Sequence, residues 1–227
     1  MKSNIDGKSA VHSDRKTDYD DSPFDQLLIW LLSRRMAETI GRETHLDGYD
    51  GFVDLSQKIV QGRNANEQKQ VVMGVLRSLV PEVALQAIRT FFSPTQLVCE
   101  LNAWSATLLF EWLVGPCEVK EVEIAAADGS VRRQKSGVHI KKCRYLEQSQ
   151  CVGMCVNMCK LPTQDFFYKD FGIPLTMTPN FEDMSCEMAF GQLPAAIEDD
   201  PACREPCLAR KCEIANEQAK SCPKLRG

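Results

Sequence analysis

The chain has 227 residues, enough for one substantial hydrophobic core, and its 44% apolar and 26% charged content is that of a globular protein. A net charge of −4 argues against a nucleic-acid partner, since such proteins present basic faces. The most apolar stretch, residues 95–114, carries Gln96, Glu100, Asn102 and Glu111, which make insertion costly, so no segment reads as a membrane span.

Residues 1–21 mix Lys, Ser and five Asp, too acidic for a transit peptide, and read as a disordered lead-in or as what remains of a trimmed targeting segment. Ser22-Pro23-Phe24-Asp25 then opens a helix: a capping Ser, Pro at the first helical position and an acid in the first turn. Phe24, Leu27, Leu28, Leu31, Leu32 and Ile40 follow at helical spacing until Gly41. After a Gly/Asp loop at 47–51, Phe52, Leu55, Ile59 and Val60 predict a second helix stopped near Gly62. A third covers about 66–79, and Pro81 opens a fourth carrying Val83, Ala87, Ile88 and Phe91. Ser93-Pro94 predicts the start of a fifth, with Leu97, Leu101, Trp104, Leu108 and Trp112 on one face until Gly115-Pro116 breaks it. Here the period changes from helical to alternating. Val122 and Ile124 alternate with Glu121 and Glu123, and Val138 and Ile140 with His139 and Lys141; Asp128-Gly129 between them signals a hairpin. The expected fold is α+β, one continuous domain in which a helical lobe (22–115) packs on a small antiparallel β, Cys-rich lobe (116–227).

Eleven cysteines are the abnormal feature, and nine fall after residue 140: Cys143, Cys151, Cys155, Cys159, Cys186, Cys203, Cys207, Cys212 and Cys222. With only three His in the chain, a metal in this half sits in mostly thiolate ligands. The odd count weakens a disulfide scaffold. Cys151, Cys155 and Cys159, spaced i, i+4, i+8, would share one stripe of a continuous α-helix. The ends of that stripe stand about 12 Å apart, whereas two thiolates on one tetrahedral zinc are only about 3.8 Å apart. One centre cannot take all three unless the helix breaks, Gly153 being the weak point, or the stripe serves two centres. In residues 184–190 the alternation puts Cys186 with Met184, Met188 and Phe190 on an apolar face. Cys207 and Cys212 follow Pro206 in a stretch too polar for core. No C-x-x-C pair is present, so iron, with its tolerance of irregular spacing, is expected ahead of zinc. Cys99 and Cys117 read as core thiols, Cys203 and Cys222 as free, His139 as exposed, and Glu182-Asp183 as capping carboxylates.

Several runs go beyond composition. They are Trp112-Leu113-Val114-Gly115-Pro116-Cys117; Cys143-Arg144-Tyr145-Leu146-Glu147 leading into Cys151-Val152-Gly153-Met154-Cys155 and Cys159-Lys160; Pro179-Asn180-Phe181-Glu182-Asp183-Met184-Ser185-Cys186; and Pro206-Cys207-Leu208 with Cys212. Together with Ser33-Arg34 and Asp47-Gly48-Tyr49 they resemble the plant β-carotene isomerases of strigolactone biosynthesis, over about residues 19–212. The resemblance implies an iron-containing enzyme of the plastid stroma that interconverts all-trans and 9-cis β-carotene, upstream of carotenoid cleavage dioxygenases. It carries over Cys143, Cys151, Cys155, Cys159, Cys186, Cys207 and Cys212 as the metal cysteines, with an iron–sulfur cluster the expected cofactor and zinc the alternative. Phe91, Phe92, Trp104, Leu108 and Trp112 are the expected wall of the substrate tunnel. A substrate insoluble in water also implies peripheral contact with a membrane, through residues 27–32 and Phe91-Phe92. The rival from another class is a non-catalytic carotenoid- or lipid-binding protein knit by a structural metal.

Overall fold

The computed structural model describes residues 17–91, 93–125, 131–208 and 222–225. Phe92, the Asp128-Gly129 pair, Cys212 and most of the expected lead-in lie outside them.

Helix α1 (Pro23–Ile40) starts where its sequence puts it. The Ser22 hydroxyl accepts from the Asp25 N–H, and the Asp25 carboxylate accepts from the Ser22 N–H, a reciprocal cap. Asn64 and Glu67 repeat the device at α3 (Ala65–Leu79). Between them α2 (Gly48–Val60) begins earlier than its apolar period suggests, and α4 (Glu82–Phe91) follows Pro81. Helix α5 (Gln96–Leu109) is capped by Thr95 rather than by Ser93-Pro94.

The expected single face of α5 does not survive to Trp112. Phe110, at φ −120° and ψ 4°, ends the helix, and a separate turn, α6 (Glu111–Val114), changes direction. Trp112 therefore swings into the core at 5% exposure, while Leu97, Leu101, Trp104 and Leu108 stay outside at 74%, 52%, 55% and 55%.

Strands β1 (Cys117–Ala125), β2 (Val131–Ile140), β3 (Leu175–Pro179) and β4 (Cys186–Phe190) form one antiparallel sheet in the order β1-β2-β4-β3. A bulge between Lys120 and Val122 faces Gly137, where an added Cβ would stand 2.5 Å from Val122 Cγ1. Ile140 pairs with Cys117 on one side and Cys186 on the other, which sets those two thiols at one end of the sheet. Cys186, Met188 and Phe190 share the buried face of β4, as their alternation predicts.

Helix α7 (Arg144–Ser149) is followed by a helical run over 152–171, here α8, whose windings alternate. Cys155–Lys160 and Phe166–Phe171 are π-helical, and the α-helical Leu161–Asp165 between them contains Pro162. Proline in a helix interior has no N–H to give and crowds the carbonyl four residues back, and the wider π turn relieves both problems. Cys151 lies before this run in an extended conformation (φ −135°, ψ 113°), so the three-cysteine stripe does not form and Gly153 is not its break.

One core joins both lobes, running from Leu55 and Ile59 of α2 through Leu146 to Ile140, Leu175 and Phe190 of the sheet. Residues 17–21, within the expected lead-in, are tied down. Glu147 accepts from Thr17 N and Oγ1 and from Tyr19 Oη, while Asp21 accepts from Arg144.

Candidate active site: four thiols beside an apolar cavity

Cys143 caps α7 and donates its N–H to Met184 O at 2.7 Å. Cys155 and Cys159 come from the first π segment, and Cys186 opens β4. These four thiols line one enclosed cavity of about 10 Å³, together with Val114, Ile140, Met177 and Lys160. That is about the room of a single water or ion.

Burial pushes every one of these thiols up. Cys159 rises to about 12 through burial and the neighbouring Cys143. Cys155 and Cys186 stand well above the ordinary value of 9.0 through burial and then through the neighbouring Cys143 and Cys159. Cys143 is raised by burial, partly offset by the N–H groups of Leu146 and Tyr145. In the metal-free protein all four are neutral thiols near pH 7. Lys160 works the other way on Cys155 and Cys186. Its ammonium is itself buried and held 2.6 Å from Asp200 Oδ2.

Among the described residues, no three His, Cys, Asp or Glu side chains stand close enough together to hold a metal ion. The donor type is that of a soft metal, four cysteines lining one small cavity with a cation as neighbour, although their side chains are not gathered to ligating distance. The remaining expected ligands lie elsewhere. Cys151 packs at the edge of the main core, and Cys207 beside Cys203 and Cys222 in a small separate cluster around Val152 and Val156. A methyl on Gly153 would meet Cys222 Sγ at 3.6 Å and Cys151 Sγ at 3.8 Å, so these two thiols flank one glycine on the other side of α8. Cys212 lies outside the described residues. Cys99 is a core thiol at 1% exposure, as expected; Cys117 is half-buried.

Beside the thiols lies a cavity of about 490 Å³, bounded by α1, α3, the α5–α6 break, α8 and the sheet. Its lining is apolar almost throughout and rich in rings. Phe167 stacks on Phe171 with centroids 5.3 Å apart and meets Phe190 edge-on at 5.3 Å. Of the expected tunnel residues, Trp112 lines it. Trp104 and Leu108 do not, because the break at Phe110 leaves them on the outer face of α5. Phe91 ends α4, and its side chain, like Phe92, lies outside what the structure describes. The sequence reading missed Phe166, Phe167 and Phe171; their signal was the i, i+5 pair Phe166 and Phe171, which a π turn brings to 5.2 Å.

Comparison with known proteins fits this arrangement. Residues 112–199 match the family model described as Beta-carotene isomerase D27-like, C-terminal, a span that holds Trp112 and all four clustered thiols. The chain is 42% identical over 209 residues to "Beta-carotene isomerase D27, chloroplastic" of Medicago truncatula, covering 92% of this chain and 81% of that one. The chain belongs to the D27-like β-carotene isomerase family. The Arabidopsis thaliana protein of the same description is 39% identical over 191 residues, covering 83% of this chain and 70% of its own. No solved structure matches. The matched span ends before Cys203, Cys207 and Cys222.

Proposed function

We propose that this protein is a plastid carotenoid isomerase that interconverts all-trans and 9-cis β-carotene, an early step toward strigolactone precursors. The names of its relatives support the carotenoid and the chloroplast. The observation that carries the reading is the shared wall: Val114, Cys159 and Met177 line both the apolar cavity and the four-thiol cavity.

Rotation about a C=C bond transfers no group, so the cavity needs no acid–base pair. Its rings and aliphatic side chains bury the polyene, exclude water and fix which bond lies against the thiols. Cys143, Cys155, Cys159 and Cys186 are the residues that would hold iron, with Lys160 offsetting thiolate charge. Bound there, iron supplies redox or Lewis-acid chemistry that lowers the bond order of the polyene. A lipid surface delivers the insoluble substrate, and the product passes to carotenoid cleavage dioxygenases. No single described helix is long and apolar enough to cross a membrane, but Phe24, Leu27 and Trp30 of α1 are about half exposed beside the Leu28 and Leu31 that line the cavity.

The test is anaerobic purification, a count of iron, sulfide and zinc, and chromatography of both isomers after incubation. We expect iron in thiolate ligation, sharply reduced by Cys155→Ala or Cys186→Ala and unchanged by Cys99→Ala, and one equilibrium ratio reached from either isomer. Stoichiometric zinc without iron or sulfide would sink the iron centre. A folded, metal-loaded protein that changes neither isomer would instead favour the carotenoid-binding reading.

A further inference from the structure

With the apolar cavity taken as the polyene's site, as proposed above, we infer that Cys159 is the catalytic group through which the substrate meets the thiol site. Three observations converge on this residue.

The first is the partition. Of the four thiols around the small cavity, Cys159 alone also lines the large one. Val114 and Met177 complete the dividing wall, but neither carries a thiol. The second is accessibility. Cys143, Cys155 and Cys186 are buried at 6%, 7% and 5% exposure, whereas Cys159 is half-buried, with open space beside it. The third is a side cavity of about 70 Å³, reaching in toward Phe52 and Tyr145, which also ends on Cys159 and on Thr163 one turn further along α8. Cys159 thus stands where three spaces meet.

A polyene lying along Phe167 and Phe190 has this residue as its contact with the thiol cluster. A polarisable cysteine sulfur suits an apolar wall, because the side chain packs like a small hydrophobe. Cys117 lines the large cavity without reaching the small one, so it reports occupancy of the cavity independently of the thiol site.

The experiment uses the full chain and a long-chain N-alkyl maleimide, a thiol reagent that partitions into apolar space, with peptide mass mapping. Cys159 and Cys117 should be alkylated at least tenfold faster than Cys143, Cys155 and Cys186. Micellar all-trans β-carotene that co-elutes with the protein should slow labelling of both at least tenfold. In turnover, Cys159→Ser should lower kcat at least tenfold while co-elution of β-carotene is kept. If the carotenoid co-elutes and shields Cys117 but leaves Cys159 as reactive as before, the assignment to Cys159 is overturned and the cavity reading stands. If folded protein retains no carotenoid, both are overturned. Should Cys159→Ser fail to fold, the labelling of the unmodified sequence still decides between these outcomes.

Discussion

Lys160 and Asp200 face each other with both side chains 5% exposed and 2.6 Å between Nζ and Oδ2. Asp200 also accepts from Ala202 N, so its charge is fixed at the foot of a short 3₁₀ turn. Removing one partner of such a pair strands the other. Lys160→Met is expected to cost about 3–5 kcal/mol in denaturant unfolding, and Lys160→Met with Asp200→Leu to recover most of it. If the single variant matches the parent, the pair carries no stability. The neighbouring thiols give a second expectation with a definite sign. Their folded-state values lie above the ordinary 9.0, so the metal-free protein is stabilised by neutral thiols below that pH. That stability is lost as pH rises past 9 toward the folded values. A metal that needs thiolates binds more tightly over the same rise, because each ligand must first give up its proton.

At the scale of elements, capping chemistry was legible and helix breaks were not. Ser22 and Asp25 mark the start of α1 by side-chain hydrogen bonds that depend only on near neighbours. The end of α5 at Phe110 leaves no such local mark: neither Phe110 nor Glu111 is a helix breaker, and tertiary packing of Trp112 decides the turn. The clustered thiols were legible by type, but not which of them meet, since that depends on the π windings around Pro162 and on Cys186 arriving across the sheet. What the break leaves behind is a stripe of Leu97, Leu101, Trp104 and Leu108 that the core does not cover. No charged residue lies between Glu100 and Glu111. A lipid interface accommodates such a face, with the indole of Trp104 at headgroup depth. The protein should float with neutral phosphatidylcholine vesicles, and Leu101→Glu with Trp104→Glu should abolish flotation while stability changes by no more than about 0.5 kcal/mol per site. Full recovery of the parent in the soluble fraction would remove this contact.

Over the whole molecule, the two lobes are locked by the strap at residues 17–21. Arg144 is 4% exposed, its guanidinium lies 3.7 Å over the ring of Tyr49 and 4.6 Å over that of Tyr19, and it donates to Asp21 and to Trp112 O. Gly115 makes the crossing possible. Its φ of +84° and the 3.1 Å from an added Cβ to Tyr19 Cε1 leave no place for a side chain. Deleting residues 1–21 removes Asp21 and leaves the buried guanidinium without its carboxylate, at a cost of about 3 kcal/mol. For a domain of this size that is a Tm lower by roughly 6–12 °C. The strap also has a pH signature. Burial alone would raise Glu147, but hydrogen bonds from Lys142, from Thr17 twice and from Tyr19 outweigh it and hold the carboxyl below 4.5. A lowered carboxyl stabilises above its unfolded value and loses that contribution as pH falls through the folded one. Thermal melts of the full and shortened chains should therefore differ most above pH 4.5, and the gap should shrink below it as Glu147 takes up its proton. A gap absent at neutral pH would show that the Arg144–Asp21 pair does not hold the strap, and one that stays constant down through the acid range would show that Glu147 does not.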